Sequence, residues 1–168
     1  MKIITYGNPV LRKKAQKIKS IDKKIVDLVK KMFKTMDAGK VPGVGLAAPQ
    51  VGVSIALFVY KVDDDKGVVI NPVIVSKKGE EVKEEGCLSV PGVYGPVKRA
   101  EKIIVKGLNI KGKRFKLNLD GLKARVFQHE TDHLNGIIFT DYIEKIEEFT
   151  VEEGYKLPEQ LVERFKEK

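Results

Sequence analysis

QHETDHLNG, residues 128–136, holds the chain's only two histidines, His129 and His133, four positions apart, with Glu130 directly after the first. On an α-helix, positions i and i+4 lie one above the other on one face. Both imidazoles can then grip a single metal ion, while Glu130 stands beside it, placed to handle the proton of a bound water. The flanking residues predict that helix: DGLKARVFQHETDHLN (120–135) is opened by Asp120 and closed by Gly136. Leu122 and Val126, seven and three positions before His129, continue the histidine face as an apolar stripe and predict that it points inward. Two unpaired histidines on a buried face are costly unless bonded or ligating, which favours a metal over accidental spacing.

Two histidines leave a catalytic tetrahedral site one protein ligand short, the fourth position being open to water. The chain has one cysteine, Cys87, in EEGCLSVPG (84–92), where Gly86, Pro91 and Gly92 predict a shaped loop rather than a plain strand. A free cysteine is most often a small buried hydrophobe. Beside a two-histidine site that needs one more soft ligand, a His2Cys set is the better reading. A third element is GVGLAAPQ (43–50). Its small residues, with Gly43 and Gly45, let a backbone come close to another group, and Gln50 ends the run with an amide. Read alone, it could equally be a tight turn leading into the next strand.

Around these elements, SIDKKIVDLVKKMFKTMDA (20–38) places Ile25, Leu28, Val29, Met32, Phe33 and Met36 on one helical face, with Ser20 or Asp22 as cap and Gly39 as stop. Strands are expected at 55–60, 67–75, 102–109 and 113–119, the last two joined as a hairpin through 110–112. IIFT (137–140) reads as a short final strand, and residues 157–168 as a terminal helix starting near Pro158. No repeat or linker divides the chain, so a single domain over 1–168 is expected. The fold class is α+β: mostly antiparallel sheets packed around a central metal-binding helix, with an N-terminal amphipathic helix.

At 168 residues the chain can bury a core, and 42% hydrophobic with 33% charged residues is a globular composition. No apolar run approaches the ~20 residues of a membrane span. The start, MKIITYGNPV, lacks a signal-peptide core, and a lone cysteine fits a reducing compartment, so a cytoplasmic protein is expected. Net charge is +9, but residues 143–168 carry eight Glu against five Lys or Arg, leaving a basic body and an acidic tail. The lysines are scattered, without an arginine cluster or aromatic interleaving, which argues against specific nucleic-acid readout.

GVGLAAPQ, EGCLS and QHETDHLNG, in this order, resemble the three signature motifs of the peptide deformylases (G-x-G-L-A-A-x-Q, E-G-C-L-S and Q-H-E-x-D-H-L-x-G) without a mismatch. YGNPVLR (6–12) is similar to the family's N-terminal G-x-P-x-L-R, and the resemblance extends over residues 1 to about 140. It implies an enzyme that removes the formyl group from N-formylmethionine on newly made chains. Carried over, it implies one divalent metal ion, Fe²⁺ by family and Zn²⁺ by ligand softness, held by Cys87, His129 and His133, with Glu130 as general base and acid. Gln50 and the Leu88 N–H resemble the groups that stabilise the oxyanion. Gly43 and Gly45 would lie along the substrate backbone, and Val44, Leu122 and Val126 would wall an apolar slot for the methionine side chain. Gln128, Asp132, Glu85 and Arg99 are expected to orient the ligands. Some members hold substrate with an arginine after the cysteine motif, where this chain has Tyr94. Others dock on the ribosome through a basic C-terminal helix; here the tail is acidic, and the basic body is the candidate for a transient contact. A His-Glu-x-x-His metalloprotease is disfavoured, because such enzymes usually take a third ligand downstream, whereas Cys87 lies upstream. An RNA-binding module with a structural zinc would need a fourth protein ligand.

Overall fold

Antiparallel pairing organises the chain. The structure, a computed structural model, describes residues 1–39 and 44–167. Its strands are β1 (Gly45–Ala47), β2 (Leu57–Val62), β3 (Asp65–Lys78), β4 (Glu81–Cys87), β5 (Val90–Arg99), β6 (Lys102–Leu108), β7 (Arg114–Asp120) and β8 (Thr150–Val151). Its α-helices are α1 (Lys23–Asp37), α2 (Gly121–Leu134) and α3 (Glu159–Lys166). One sheet has the order β1-β2-β3-β6-β7 and the other β4-β5-β8. The expected α+β class and the central helix are what the chain forms.

Alternation along β2 explains how the large sheet receives a helix on each face. Leu57 and Val59 point one way and meet Val29, Met32 and Met36 of α1. Phe58 and Tyr60 point the other way and meet α2, where the Phe127 ring stands edge-on to Phe58 at 5.1 Å. The small sheet closes over the far side of α2. Gln128 bonds both the N–H and the C=O of Ala100, in the link from β5 to β6, at 3.0 Å each. α2 is therefore buried nearly all round, from Ala124 to Gln128 and at Glu130, His133 and Leu134.

The local chemistry follows the sequence. Asp22, of the two candidate caps, accepts from the Ile25 N–H at 3.0 Å, and α1 closes at Ala38, one residue before the expected Gly39. Asn109 Oδ1 takes the N–H groups of Lys111 and Lys113, and Gly112 supplies the positive φ that turns β6 into β7. In β3, Pro72, which has no N–H to give, sits where the register with β6 shifts between Ile70 and Val73.

Three expectations are corrected. IIFT does not form a strand; Phe139–Tyr142 is a 3₁₀ turn. Asp141 accepts from the Ile138 N–H and is gripped by Arg12, while Ile138 and Phe139 fill the third core cluster. A short apolar run does not distinguish a strand from a buried turn. Residues 84–92 are not mainly loop: β4 and β5 form a hairpin with only Leu88 and Ser89 between them. Charged residues, Pro91 and Pro96 hide its strand character. The loop-like part is a bulge, where pairing jumps from Gly86↔Tyr94 to Cys87↔Val90 and Gly92 takes φ +73°. Leu122 does not point inward; it is half-exposed.

The terminal helix forms as expected, with Leu161 fully buried, and β8 pairs with Val93 and Tyr94 of β5. Gly43 lies outside the described residues. Among the described residues no helix is long and apolar enough to cross a membrane.

Gly136 ends α2 at φ +74°, and a Cβ there would lie 2.5 Å from the Arg12 carbonyl oxygen. Gly136→Ala should destabilise the fold by about 1–3 kcal/mol or more, a backbone-strain cost. Urea unfolding checks this; a midpoint equal to that of wild type would contradict it.

Candidate metal centre

Cys87 stands at the end of β4, and α2 carries His129 and His133. The fold brings Sγ and one ring nitrogen of each histidine within 4.8 Å of one another. Cys87 Sγ lies 3.3 Å from His133 Nε2 and accepts from the Ser89 N–H at 3.4 Å. The sequence reading named all three residues, and the structure makes them a cluster.

The two imidazoles are held differently. His129 Nδ1 donates to Glu85 Oε1 at 2.8 Å, which fixes its tautomer and turns Nε2 towards the cluster. Burial opposes charge on His129, but Glu130, Cys87 and Glu85 outweigh it and hold its pKa well above the ordinary value. A metal ion on Nε2 would take the place of that proton. His133 is held neutral, its pKa pushed well down by burial and then by the charge of His129. Its Nδ1 is buried without a hydrogen-bond partner. A neutral imidazole, an oriented imidazole and a thiol are a donor set that fits a tetrahedral or open-sided divalent site.

Glu130 is 3% exposed, and its Oε2 lies 3.9 Å from His129 Nε2. Its Oε1 has no partner, and burial raises its pKa to about 7. It stands beside the cluster rather than in it, as its position next to a ligand predicts. The sequence reading did not anticipate how Glu130 is accommodated. A Cβ on Gly45 would come within 2.6 Å of Glu130 Oε2, so only glycine lets β1 pass the carboxylate this closely.

Gln50 sits in a 3₁₀ turn (Ala48–Val51) directly after β1 and is 1% exposed. Its Oε1 accepts from the Ala47 N–H at 2.9 Å. Its Nε2 donates to Ser89 Oγ at 3.1 Å and approaches Cys87 Sγ at 3.5 Å. Leu88 occupies the tight turn after Cys87. The amide and this turn therefore border one space with the cluster.

The expected slot residues are distributed unevenly. Val44 and Leu122 are half-exposed, while Val126 is buried in the core cluster with Phe58 and Phe127. Three of the expected orienting residues, Glu85, Arg99 and Asp132, form one network, whereas Gln128 bonds the main chain of Ala100 and Ala124 instead. Glu85 takes Arg99 through Nε at 2.9 Å and Nη2 at 3.0 Å, and Arg99 reaches on to Asp132, which also accepts from the Tyr142 hydroxyl at 2.7 Å. The hydrogen bonds to His129 and Arg99 outweigh burial and hold Glu85 well below the usual carboxylate range. Tyr94 lies against Gly86, where a Cβ would meet its ring at 2.6 Å. The sequence reading missed Arg125, which also reaches Glu85. Its signal was spacing: it lies one helical turn before His129.

Because Cys87 is one of the three side chains that could hold an ion here, Cys87→Ala should abolish tight uptake of one Zn²⁺ per chain. Metal analysis after gel filtration checks this; full zinc content in the variant would remove Cys87 from the ligand set.

A sequence profile described as polypeptide deformylase matches residues 1–149. The peptide deformylase of Halothermothrix orenii is 48% identical over 150 residues, covering 88% of this chain and 96% of its own. Among solved structures, the peptide deformylase of Thermotoga maritima superposes with a TM-score of 0.81 at 43% identity, covering 84% of this chain and 96% of its own. The peptide deformylase of Synechococcus elongatus, in complex with actinonin, gives 0.84 at 40% identity, covering 88% and 81%. With this likeness running through both sheets, α2 and all three motifs, the chain belongs to the polypeptide deformylase family.

Proposed function

We propose that this chain, acting as one catalytic domain over residues 1–168, is a metal-dependent hydrolase that removes the formyl group from N-formylmethionine at the start of newly made polypeptides. Water and the formamide give formate and a free amine. The observation that carries this reading is the His-Glu-x-x-His helix with Cys87 brought to within 4.8 Å of both histidines.

Cys87, His129 and His133 would hold one divalent ion. Fe²⁺ is the proposed native metal by family, and Zn²⁺ is the alternative that the soft donor set also suits. When bound, such an ion supplies a Lewis acid and makes a water proton easier to remove. Glu130 accepts that proton on its unpartnered Oε1 and delivers it to the departing nitrogen, a role suited to a carboxyl near neutrality. The Gln50 amide and the Leu88 N–H stabilise the oxygen on which charge develops. Among the described residues β1 is an edge strand, so its free side can take the substrate backbone as an added strand along Gly45, a role the motif also gives Gly43. Val44 and Leu122, both partly open to solvent, are proposed for the apolar wall beside the methionine side chain, with the buried Val126 behind them. The reaction belongs in the cytoplasm with nascent chains, and the basic body is the candidate surface for a transient ribosome contact.

Turnover of a formyl-Met dipeptide without turnover of the matching acetyl-Met dipeptide tests the reading. Equal hydrolysis of both, or of neither by metal-loaded protein, would overturn it. Glu130→Gln should keep its metal and lose roughly 10²–10⁴-fold in kcat, the worth of a general acid–base group. Metal content and rate measured on one sample separate this from simple metal loss. Gln50→Ala should lose roughly 10²–10³-fold, mainly in kcat. A variant that melts earlier but turns over within a few-fold of wild type would assign Gln50 a structural role instead.

A further inference from the structure

Resting on the metal reading above, we propose that Arg125 is a positioning residue, a strut that fixes β4 against α2 and so sets the spacing between Cys87 and the two histidines. The triad comes from two elements that are not adjacent in the chain: Cys87 ends β4, and His129 and His133 lie on α2. Arg125 lies on α2 four residues before His129 and eight before His133, on the face that carries both. It is 8% exposed.

Its guanidinium makes three bonds, each to the small sheet. Nη1 donates to Glu85 Oε2 at 2.6 Å and to the Val97 carbonyl at 2.9 Å. Nη2 donates to the Glu81 carbonyl at 2.7 Å. One planar side chain thereby ties α2 to the start of β4, to Glu85 two residues before Cys87, and to β5 near its end. Two of its three acceptors are main-chain carbonyls, whose positions are the course of the strand itself.

Arg99 cannot substitute for this. It springs from β5, within the small sheet, so its two bonds to Glu85 are internal to that sheet, and it reaches α2 only at Asp132. Arg125 also completes Glu85, whose two oxygens then receive four N–H groups, from Arg99, Arg125 and His129. Losing it would leave Oε2 of the carboxylate that orients His129 with one donor, Arg99 Nε, instead of two, and would leave two carbonyls without this donor. The ligand separation would then depend on the Arg99–Asp132 and His129–Glu85 bonds, on Gln128 and on apolar packing.

The test uses the full chain with Zn²⁺ competed against a chromophoric chelator, and the absorption spectrum of the Co²⁺-loaded protein. Arg125→Met should weaken Zn²⁺ binding by roughly 10–100-fold, the usual cost of losing a group that orients a ligand, and alter the Co²⁺ bands. Arg125→Lys keeps the charge towards Glu85 but cannot serve three acceptors in one plane, so it should fall between the two. If Arg125→Met does not fold, Arg125→Lys carries the test. Leu161→Ala, a core variant in α3 away from the centre, controls for stability and should melt earlier with unchanged Zn²⁺ affinity. Arg125 variants that fold and bind Zn²⁺ within two-fold of wild type, with the same Co²⁺ spectrum, would overturn the strut. Wild-type protein that takes up no Zn²⁺ would overturn the metal reading and the strut with it.

Discussion

Donors drawn from two separate elements can hold one ion only if the distance between those elements is fixed, and in the proposed centre that task falls largely to a buried carboxylate. Glu85 receives two N–H groups from Arg99, one from Arg125 and one from His129. These are the four acceptor positions a carboxylate has. Asp132 balances the second guanidinium through Arg99, so two anions face two cations in the space between α2 and the small sheet. Taking these ions out of water costs several kcal/mol each, and such clusters are seldom more stabilising than an apolar core of the same shape. What the cluster provides is direction: charge-assisted bonds fix the angle of a His129 ring that apolar packing alone would leave free to turn.

That requirement explains why α2 is not an ordinary amphipathic helix. One side meets the large sheet through Ala124 and Phe127, and the other meets the small sheet through Arg125 and His129 and the β5–β6 link through Gln128. A helix buried on both sides shows weak periodicity, because polar and apolar residues alike face inward. β1 must also pass very close to it. Gly45 has no Cβ to strike the Glu130 carboxylate, and the same strand leads directly into Gln50. One glycine thus lets a sheet edge, a buried carboxylate and a buried amide share one small volume.

The centre was legible in the sequence because its chemistry is local: His129, Glu130 and His133 declare their geometry by helical spacing. Cys87 was legible only in combination, as the one soft donor left for a two-histidine site. The amphipathic α1 and the β6–β7 hairpin were plain from period and turn chemistry. Others were hidden for physical reasons. β4 and β5 carry charges, prolines and a bulge that mask alternation, although Glu85 and Cys87 depend on their pairing. Ile138 and Phe139 are apolar because a core cluster claims them, not because they extend. Leu122 shares the spacing of the histidine face, yet it lies in the first turn of α2 beside the β2–β3 turn, where that face is no longer covered. Spacing reports a direction around a helix and says nothing of how far the covering sheet reaches. Arg125 has the spacing too, but a lone arginine on a helix usually reads as a solvated face.

Two carboxylates near His129 show how structure divides labour between identical groups. Glu85 is saturated by donors and held charged; Glu130 has an oxygen with none and is raised to about 7 by burial. A buried acceptor without a partner costs about 1–3 kcal/mol. Donors would remove that cost, but every N–H aimed at a carboxylate stabilises its charged form and lowers its affinity for a proton. A group that must take a proton and give it back near neutrality cannot be bonded the way Glu85 is. For the proposed reaction, the same enclosure therefore needs one carboxylate satisfied to hold a ligand still, and one unsatisfied so that a proton can come and go.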